Sequence, residues 1–327
     1  MTANINFVIP KNGKYANYQN FKGDLDKEWG FISNGQWAWI IQTFVRLSEY
    51  KNNIRLTSSE SALEDAINVI FVDDYVNLEK KYTYYCIVII LDRYVYYPGD
   101  LNIIQNEAHK IPFSSAYIPL WSQAGLIPRK ENLLTSNNSV NLGFFGLVEN
   151  SVDLVAALER NFGNKVKVHV KGPNNWNDYR EIDIAVGIRD FDKRKHIQKP
   201  PTKLLNAWKA GVPFIGGADS SYEQVGIDGE NYLKADSEEL FIAAVSRLIS
   251  DPLLNHTLVK NGREAFENYT DDKISDRWVK ALEEELIHFN QWQCSPHPAK
   301  ALQVFSKYCF YNYLRVKRKA LVLLNLY

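Results

Sequence analysis

The stretch QKPPTKLLNAWKAGVPFIGGADSSYEQVG, residues 198–226, sets a double proline before an apolar helix pattern, which leads through Gly-Val-Pro into a short strand and a Gly-Gly turn. Proline can precede a helix but disrupts its interior, so Pro200 and Pro201 fix the start of the helix and stiffen the loop before it. Helix and strand patterns in such close succession predict a βα series with a parallel sheet.

The first turn of this predicted helix carries a charge that needs an explanation. Thr202 is expected to be the N-cap, and Lys203 follows it, although the helix dipole favours anions at this end. Backbone N–H groups at a helix start, a capping hydroxyl and lysine side chains form a phosphate site. Lys199 adds an ammonium group, and Arg189, at the end of the strand pattern IDIAVGIR, adds a guanidinium. We expect these four residues to bind an anion; the alternative is that both lysines are solvated surface residues.

Further strand and helix patterns lie before this stretch. A chain of 327 residues is long enough for two domains of about 150 residues each. A helix pattern with Trp39, Phe44 and Leu47 on one face follows the first strand pattern. Six β-branched or aromatic runs predict the strands of a first domain, at residues 4–10, 53–58, 68–74, 83–92, 101–106 and 116–120.

A polar, proline-broken stretch at 126–140 is predicted to link this first domain, residues 1–125, to a second domain at 141–290. The helical patterns of the second domain are at 151–160, 202–210, 237–249 and 252–290. The sequence thus predicts an α/β protein with two Rossmann-like, doubly wound domains. Ligands are expected in the cleft where the carboxyl ends of the strands of both domains face each other.

Residues 291–327 are predicted to form a separate helical tail. It carries a basic cluster among aromatic and aliphatic residues, consisting of Arg315, Lys317, Arg318 and Lys319. This pattern is typical of an interfacial helix on an anionic membrane surface. The alternative is a terminal helix that packs on the other domain and keeps its basic face in solvent.

Composition restricts the partners and cofactors. The chain has 38 Lys and Arg against 38 Asp and Glu, so no net field draws it to nucleic acid. Its three cysteines and six histidines lack metal-ligand spacing, and we expect reduced thiols and no metal or other cofactor. The first residues lack a basic start with a sustained apolar run, and the apolar run at 85–91 is too short to span a bilayer. We expect a cytoplasmic protein, with its tail at the inner face of the membrane if the interfacial interpretation holds.

The order and spacing of motifs in residues 141–285 resemble the donor-binding domain of GT-B glycosyltransferases of the group 1 type. The resemblance rests on KVKVHVKGP, KLLNAWKAGVPFIGG and SYEQVGIDGENYLKADSEELFIAAVSRLISDP, whereas the first domain is similar only in its βα order. It implies a nucleoside diphosphate sugar as donor. It also implies that Gly146 lets the backbone approach the diphosphate, that Gly172 and Pro173 lie near the base, and that Glu223 lies near the sugar or ribose. A simple turn glycine is the alternative for Gly146.

Two positions depart from the pattern of this family. Many retaining GT-B enzymes carry two glutamates eight positions apart, and Gln198 and Asn206 occupy the matching positions. Both amides can hydrogen-bond a ribose or sugar hydroxyl, so Asn206 is a donor-binding candidate, but neither side chain carries a charge. The resemblance therefore supports donor binding and leaves retention or inversion of the anomeric configuration open.

Glycosyl transfer often uses a carboxylate that accepts the proton of the acceptor hydroxyl. Asp92, followed by Arg93, comes directly after a buried strand pattern and is the favoured base, because the ligand edge of a parallel sheet lies there. Asp24, in the long loop after the first strand, is the second candidate. A salt bridge that shapes the rim of the cleft is the alternative role for Asp92. The other acidic candidates are Asp26, Glu28, Asp73 and Asp74.

The resemblance, together with the anion-binding pattern, implies a metal-independent glycosyltransferase, with a hexose as the expected sugar. The expected donor is a nucleoside diphosphate sugar, and the expected acceptor is a hydroxyl of a glycan, a lipid-linked sugar or another cell-envelope component. Two alternatives stay open: a nucleotide-sugar epimerase of the same fold, and a non-catalytic partner subunit that keeps the donor-binding fold.

Overall fold

A computed structural model describes residues 4–324 of the chain, except residues 12, 33, 52, 131–138, 190 and 192. Within the described residues the backbone forms two parallel β-sheets, one of six strands and one of five, with flanking helices. The predicted α/β class with two doubly wound units is confirmed.

The first sheet contains every strand predicted for the first domain. Its strands are β1 (Asn4–Val8), β2 (Leu56–Ser59), β3 (Ala66–Phe71), β4 (Tyr85–Ile89), β5 (Leu101–Ile104) and β6 (Ser115–Tyr117). They lie in the order β2-β1-β3-β4-β5-β6, and all neighbours are parallel. β3 and β4 are buried along their whole length, as is typical of central strands with both faces covered.

The helix predicted between β1 and β2 begins with a π-helical turn, Trp37–Ile41, and continues as α1 (Gln42–Glu49). Trp39 and Leu47 are buried, and the ring of Phe44 lies 5.4 Å from that of Phe7 on β1. α2 (Val72–Asn77) directly follows β3.

The second sheet is built from shorter strands. They are β7 (Val140–Phe145), β8 (Val166–Lys171), β9 (Ile184–Gly187), β10 (Phe214–Gly216) and β11 (Leu233–Lys234), all parallel, in the order β11-β10-β9-β7-β8. The strand order therefore changes direction between β7 and β9, and ligands of doubly wound sheets bind at such a point.

Four helices flank this sheet in sequence order: α3 (Val152–Phe162), α4 (Thr202–Ala210), α5 (Ser220–Val225) and α6 (Glu238–Ser250). α4 coincides with the helix predicted after the double proline. It ends at Gly211, whose φ of 71° is the left-handed conformation that glycine adopts without strain at a helix end.

The helical pattern at 252–290 divides into two helices, α7 (Pro252–Phe266) and α8 (Asp271–Cys294). A short 3₁₀ turn at Glu267–Tyr269 separates them. Thr270 has an extended backbone, and its side chain caps α8 by accepting a hydrogen bond from the Lys273 N–H. The chain changes direction at this break.

After the break the chain returns to the first sheet. Ile274, Trp278 and Leu282 of α8 are buried in the core of the first sheet, and the last helix, α9 (His297–Leu323), packs there as well. The Nζ of Lys307 on α9 lies 2.8 Å from the Oδ1 of Asp100, and both side chains are buried. By packing, α8 and α9 therefore belong with the first domain, although α8 lies almost wholly within the range assigned to the second domain from sequence.

The predicted linker at 126–140 falls largely on residues 131–138, which lie outside the described residues. Its first part runs along the second domain, where the Ile127 N–H donates to the Asn177 carbonyl and Arg129 pairs with buried Asp183 at 3.1 Å. In the described part of the chain, no helix is long and apolar enough to cross a membrane.

The packing of α7 on α4 yields a test of the fold. Gly262→Ala would place a Cβ 2.4 Å from Cδ1 of the buried Trp208 ring on α4. Helix propensity alone would stabilise the variant by about 1 kcal/mol, but forcing a methyl group into a filled site costs about 1–3 kcal/mol. We expect a net loss of about 1 kcal/mol in the free energy of unfolding, measured by urea denaturation. Gly30→Ala is the control, since no atom lies within 4 Å of the added Cβ; an equal effect of both changes would contradict the packing argument.

Candidate functional site

A cavity of about 490 Å³ lies between the two sheets. The first domain lines it with the turn Trp37–Ile41 and with residues that follow β4, β5 and β6, and the second domain with residues that follow β7 and β9 and with the start of α4. The cavity thus lies at the carboxyl ends of the strands of both sheets, where a ligand is predicted from the sequence.

The charges of this cavity are almost all compensated. Within the described part of the chain, the charged side chains that line it are Asp92, Arg189, Lys199 and Lys203. Arg189 pairs with Asp219, and Asp92 pairs with Lys199. No described residue forms a hydrogen bond or an ion pair with the Lys203 ammonium group, so this group is the uncompensated cation of the described site.

Lys203 lies in the first turn of α4, where its ammonium group contacts an aromatic face. Its Nζ lies 4.4 Å from the centroid of the Phe144 ring on β7. Gly146, just after β7, leaves the space for this arrangement, because a Cβ there would lie 2.8 Å from the Phe144 ring and 3.3 Å from the Lys203 Nζ. The cation–π contact stabilises the ammonium only in part, since it supplies no counter-charge.

The surroundings of Lys203 disfavour its charged form. Burial lowers the pKa of Lys203, and the nearby Arg189 and Lys199 charges lower it further, while Asp219 opposes them; together they bring the pKa from 10.5 to about 7. Near neutral pH a substantial fraction of the group is still protonated. An anion bound beside Lys203 would therefore interact strongly with the ammonium group, because little water surrounds that charge.

Arg189 follows β9 and is held by the second domain itself. Its Nε donates to the Oδ1 of Asp219 at 2.8 Å, and Asp219 is fully buried at the start of α5. The Asp219 carboxylate fixes the guanidinium and offsets its charge, while Arg189 remains part of the cavity wall. A guanidinium positioned in this way can bind phosphate oxygens through its other N–H groups.

Asp92 and Lys199 form an ion pair that connects the two domains. Asp92 follows Leu91, whose φ of 58° is unusual for a bulky residue. Burial raises the pKa of Asp92, but the hydrogen bond and charge of Lys199 outweigh it, so the pKa lies below its ordinary value. Asp92 is thus an ionised carboxylate on the acceptor side of the cavity. The salt bridge considered as its alternative role is present, but its partner is Lys199, whereas Arg93 pairs with Asp73.

The predicted N-cap role of Thr202 is wrong. Pro201 occupies the N-cap position, α4 begins at Thr202 itself, and the side chain of neither residue caps the helix. The physical reason is that the double proline fixes the backbone before the helix, so helical geometry begins one residue earlier than the Thr202 hydroxyl predicted. The Thr202 hydroxyl instead lines the cavity, buried and without a hydrogen-bond partner in the described structure.

The two amides at the family's glutamate positions differ in their surroundings. Asn206 lines the cavity, and its Oδ1 accepts a hydrogen bond from the Gln123 N–H of the first domain at 2.9 Å. Gln198 is buried outside the cavity lining, and no described group hydrogen-bonds its side-chain oxygen. Asn206 therefore contributes to the contact between the domains as well as to the wall of the cavity.

Three predicted site residues lie outside the cavity lining. Asp24 is on an exposed loop and pairs with Lys27 at 2.7 Å. Gly172 precedes a short 3₁₀ turn, and a Cβ at this position would meet no atom within 4 Å. Glu223 on α5 forms ion pairs with Lys195 and Lys234. Their roles remain predictions, without support from the geometry of the cavity.

Aromatic residues of the second domain line the cavity without having been identified from sequence. The Phe145 and Tyr179 rings stack with centroids 3.9 Å apart, and the Trp176 Nε1 is buried without a hydrogen-bond partner among the described groups. Trp176 and Tyr179 belong to the segment PNNWNDY after β8, and aromatic residues beyond a strand end were the signal that could have identified them. The unpaired indole N–H of Trp176 can donate a hydrogen bond to a polar group in the cavity.

In the described parts of the chain, no group of three His, Cys, Asp or Glu side chains is arranged to hold a metal ion.

Solved structures similar to this chain share its fold. Sucrose-phosphate synthase from Thermosynechococcus elongatus is 11% identical with a TM-score of 0.57, over 88% of this chain and 100% of that chain. HepE from Anabaena, in complex with UDP-glucose, is 9% identical with a TM-score of 0.54, over 86% of this chain and 99% of that chain. AviGT4, a glycosyltransferase involved in avilamycin A biosynthesis, is 10% identical with a TM-score of 0.50, over 88% of this chain and 98% of that chain.

No protein-family model matches the chain, and no curated protein matches it. The likeness to solved structures shows the fold, which is GT-B, with two Rossmann-like domains facing a cleft. The fold expected from the sequence resemblance is thereby confirmed, whereas its chemistry depends on the site.

The low pKa of Lys203 can be tested in the isolated protein. We expect one lysine to titrate near pH 7 when lysine ¹³Cε chemical shifts are followed by NMR, and its signal to disappear in Lys203→Met. Arg189→Gln is expected to raise this pKa, because it removes a nearby positive charge. Asp219→Asn is expected to lower it, because it removes a negative one. Titration of every lysine near pH 10 would show that the Lys203 ammonium is solvated and would contradict the description of the site.

Proposed function

We propose that the protein transfers a sugar, a hexose in the first instance, from a nucleoside diphosphate sugar to a hydroxyl of a glycan or lipid-linked acceptor. The observation that carries this proposal is the uncompensated Lys203 ammonium beside Arg189, at the point where the strand order of the second sheet reverses. A desolvated cation at that place lacks a partner, and a diphosphate supplies one.

The groups around Lys203 fit the parts of such a donor. The helix start with the unpaired Thr202 hydroxyl offers hydrogen-bond donors to phosphate oxygens, and Gly146 leaves space for the diphosphate next to Lys203. Trp176, which lines the cavity with an unpaired indole N–H, offers aromatic surface for a base. A cavity of about 490 Å³ is within the range of about 300–1,000 Å³ that small-molecule sites occupy. The complex of HepE with UDP-glucose supports the donor class for this fold.

Transfer without a metal is part of the proposal. The leaving nucleoside diphosphate gains negative charge as the glycosidic bond breaks, and Arg189 and Lys203 would stabilise that charge. Binding of the donor diphosphate, which is already anionic, would keep the Lys203 amine protonated, and the attraction between this ammonium and the leaving group would grow with the charge of the leaving group. This coupling makes the interaction stronger in the transition state than in the ground state.

Asp92 is the proposed base on the acceptor side. It lines the cavity from the first domain, is ionised, and is held by Lys199, which belongs to the donor side. A donor phosphate that attracts Lys199 would release Asp92 to accept a proton from the acceptor hydroxyl. Such a base favours inversion of the anomeric configuration, which NMR of the product anomer would test.

A second candidate function is donor binding without transfer, by a partner subunit of another enzyme. It is favoured by Asn206, whose amide oxygen contacts the Gln123 N–H where related enzymes hold a glutamate. Tight nucleotide binding without either sugar transfer or donor hydrolysis would select this candidate.

The donor site can be tested with one substitution. Lys203→Ala is expected to weaken nucleoside diphosphate binding about 10- to 100-fold, since a charge-assisted contact contributes about 1.5–3 kcal/mol. Thermal stability should change little, because the substitution also removes a poorly solvated cation. The measurement is calorimetry with UDP, GDP and dTDP in excess EDTA. Lys260→Ala, at an exposed lysine of α7 outside the cavity lining, is the matched control. Full affinity of Lys203→Ala for every nucleotide, or a loss of stability equal to the loss of binding, would exclude the proposed site.

The acceptor base can be tested independently of donor binding. Asp92→Asn is expected to lower the rate of sugar transfer about 10²- to 10⁴-fold while nucleotide affinity is kept, because general base catalysis contributes about that much. Asp24→Asn, on the exposed loop, is the comparison, and we expect it to transfer at nearly the normal rate. The reverse result, with Asp24→Asn inactive and Asp92→Asn active, would assign the base to Asp24.

A further inference from the structure

The outward face of α9 carries a continuous apolar stripe. Its members recur every three or four residues, apart from one gap, and all are exposed: Leu302, Phe305, Tyr313, Val316, Ala320 and Leu323. Cys309, also exposed, fills the gap between Phe305 and Tyr313. Residues with this spacing lie on one side of a helix, so the stripe is about 31 Å long.

The opposite face of α9 already provides the contacts that hold the helix to the protein. Lys307 forms its buried ion pair with Asp100, and the Phe310 ring packs on that of Phe113 with centroids 4.9 Å apart. Because this inward face is occupied, the stripe is a second apolar surface. No residue of α9 lines the cavity between the two sheets, as far as the described residues extend.

The charge of this part of the chain has a single sign. Residues 286–327 contain six Lys and Arg and no Asp or Glu. Lys317 and Lys319 are exposed and next to the stripe, while Arg315 lies 5.5 Å from the ring of Tyr311. Residues 315–320 are all exposed, so the basic end of the helix projects beyond the core that holds its middle.

These features indicate what covers the stripe. A second copy of α9 would bring the cations of two helices together without a carboxylate on either one, which would oppose pairing. An anionic lipid surface instead complements the cations and also accepts the apolar side chains. We propose that α9 is an interfacial helix that binds anionic phospholipid membranes, with the stripe at the boundary of headgroups and acyl chains and the basic residues among the phosphates. This surface is separate from the donor site and does not depend on the proposed sugar transfer.

The test uses the full chain and vesicles of defined composition. We expect the protein to sediment with vesicles of phosphatidylglycerol and phosphatidylcholine, and added salt to weaken this binding. Lys317→Gln with Lys319→Gln is expected to weaken binding about thirty-fold, from the usual contribution of two basic residues at an anionic surface. Phe305→Ser with Val316→Ser should reduce binding at least about tenfold, because two apolar side chains, 61% and 67% exposed in the free protein, no longer enter the interface.

Matched changes on another helix control for general effects of surface substitution. Leu253 on α7 is 75% exposed and Lys260 lies on the same helix, so Leu253→Ser with Lys260→Gln should keep full vesicle binding. Thermal melting of each variant checks that it is folded. The proposal is overturned if the unchanged protein fails to bind anionic vesicles at low salt, or binds pure phosphatidylcholine equally well. It is also overturned if sedimentation velocity shows a dimer that Phe305→Ser with Val316→Ser dissociates while vesicle binding is absent, since the stripe would then belong to a second copy.

Discussion

The loop at 198–201 and the first turn of α4 join the two domains, and the cavity depends on this junction. The Gln198 carbonyl accepts from the Gln105 side chain at 3.2 Å, and the Lys199 carbonyl accepts from the Asn106 side chain at 3.0 Å. Two consecutive prolines contribute no N–H groups, so the loop offers the first domain mainly acceptors and keeps one shape. The same rigid loop sets the start of α4 and thus the place of Lys203. The contact between the domains and the anion site are therefore built from one segment.

The electrostatics of the cavity follow from this arrangement. Arg189 is held by Asp219 within the second domain, and Lys199 is held by Asp92 across the cleft, so both charges are largely offset. Among the described residues, Lys203 has no ion pair and its ammonium contacts the Phe144 ring. Burial, together with the nearby Arg189 and Lys199 charges, lowers its pKa to about 7. In the free protein the Lys203 ammonium has no counter-charge, so an anion that enters the cavity gains a strong electrostatic interaction with it. It is suited to a diphosphate whose charge increases during the reaction.

Because the chain returns to the first domain through α8, the last helix, α9, lies on that domain and exposes its apolar stripe. Trp278 and its neighbours bury α8 in the core of the first sheet, and α9 then lies on the same domain through Lys307 and Asp100. The inward packing proposed as an alternative for the tail is therefore present, but it leaves a second apolar face outside. The donor cavity and the exposed stripe of α9 are formed by different parts of one fold, and an acceptor that resides in a membrane would be close to a protein bound there.

The sequence by itself determined the strands, most helices and the anion-binding stretch, because apolar periodicity and proline placement act over a few residues. All six strand runs of the first domain and the helix at 202–210 are present, and Arg189, Lys199 and Lys203 line one cavity. Tertiary structure decided what depends on residues far apart in sequence: the pairing of Asp92 with Lys199, the contact of Asn206 with Gln123, and the entry of Trp176 into the cavity. It also decided that Pro201, and not Thr202, occupies the N-cap position of α4, and that α8 packs on the first sheet. The physical reason is that a local pattern specifies which face of a helix or strand is buried. Only the assembled chain specifies which other element that face packs against.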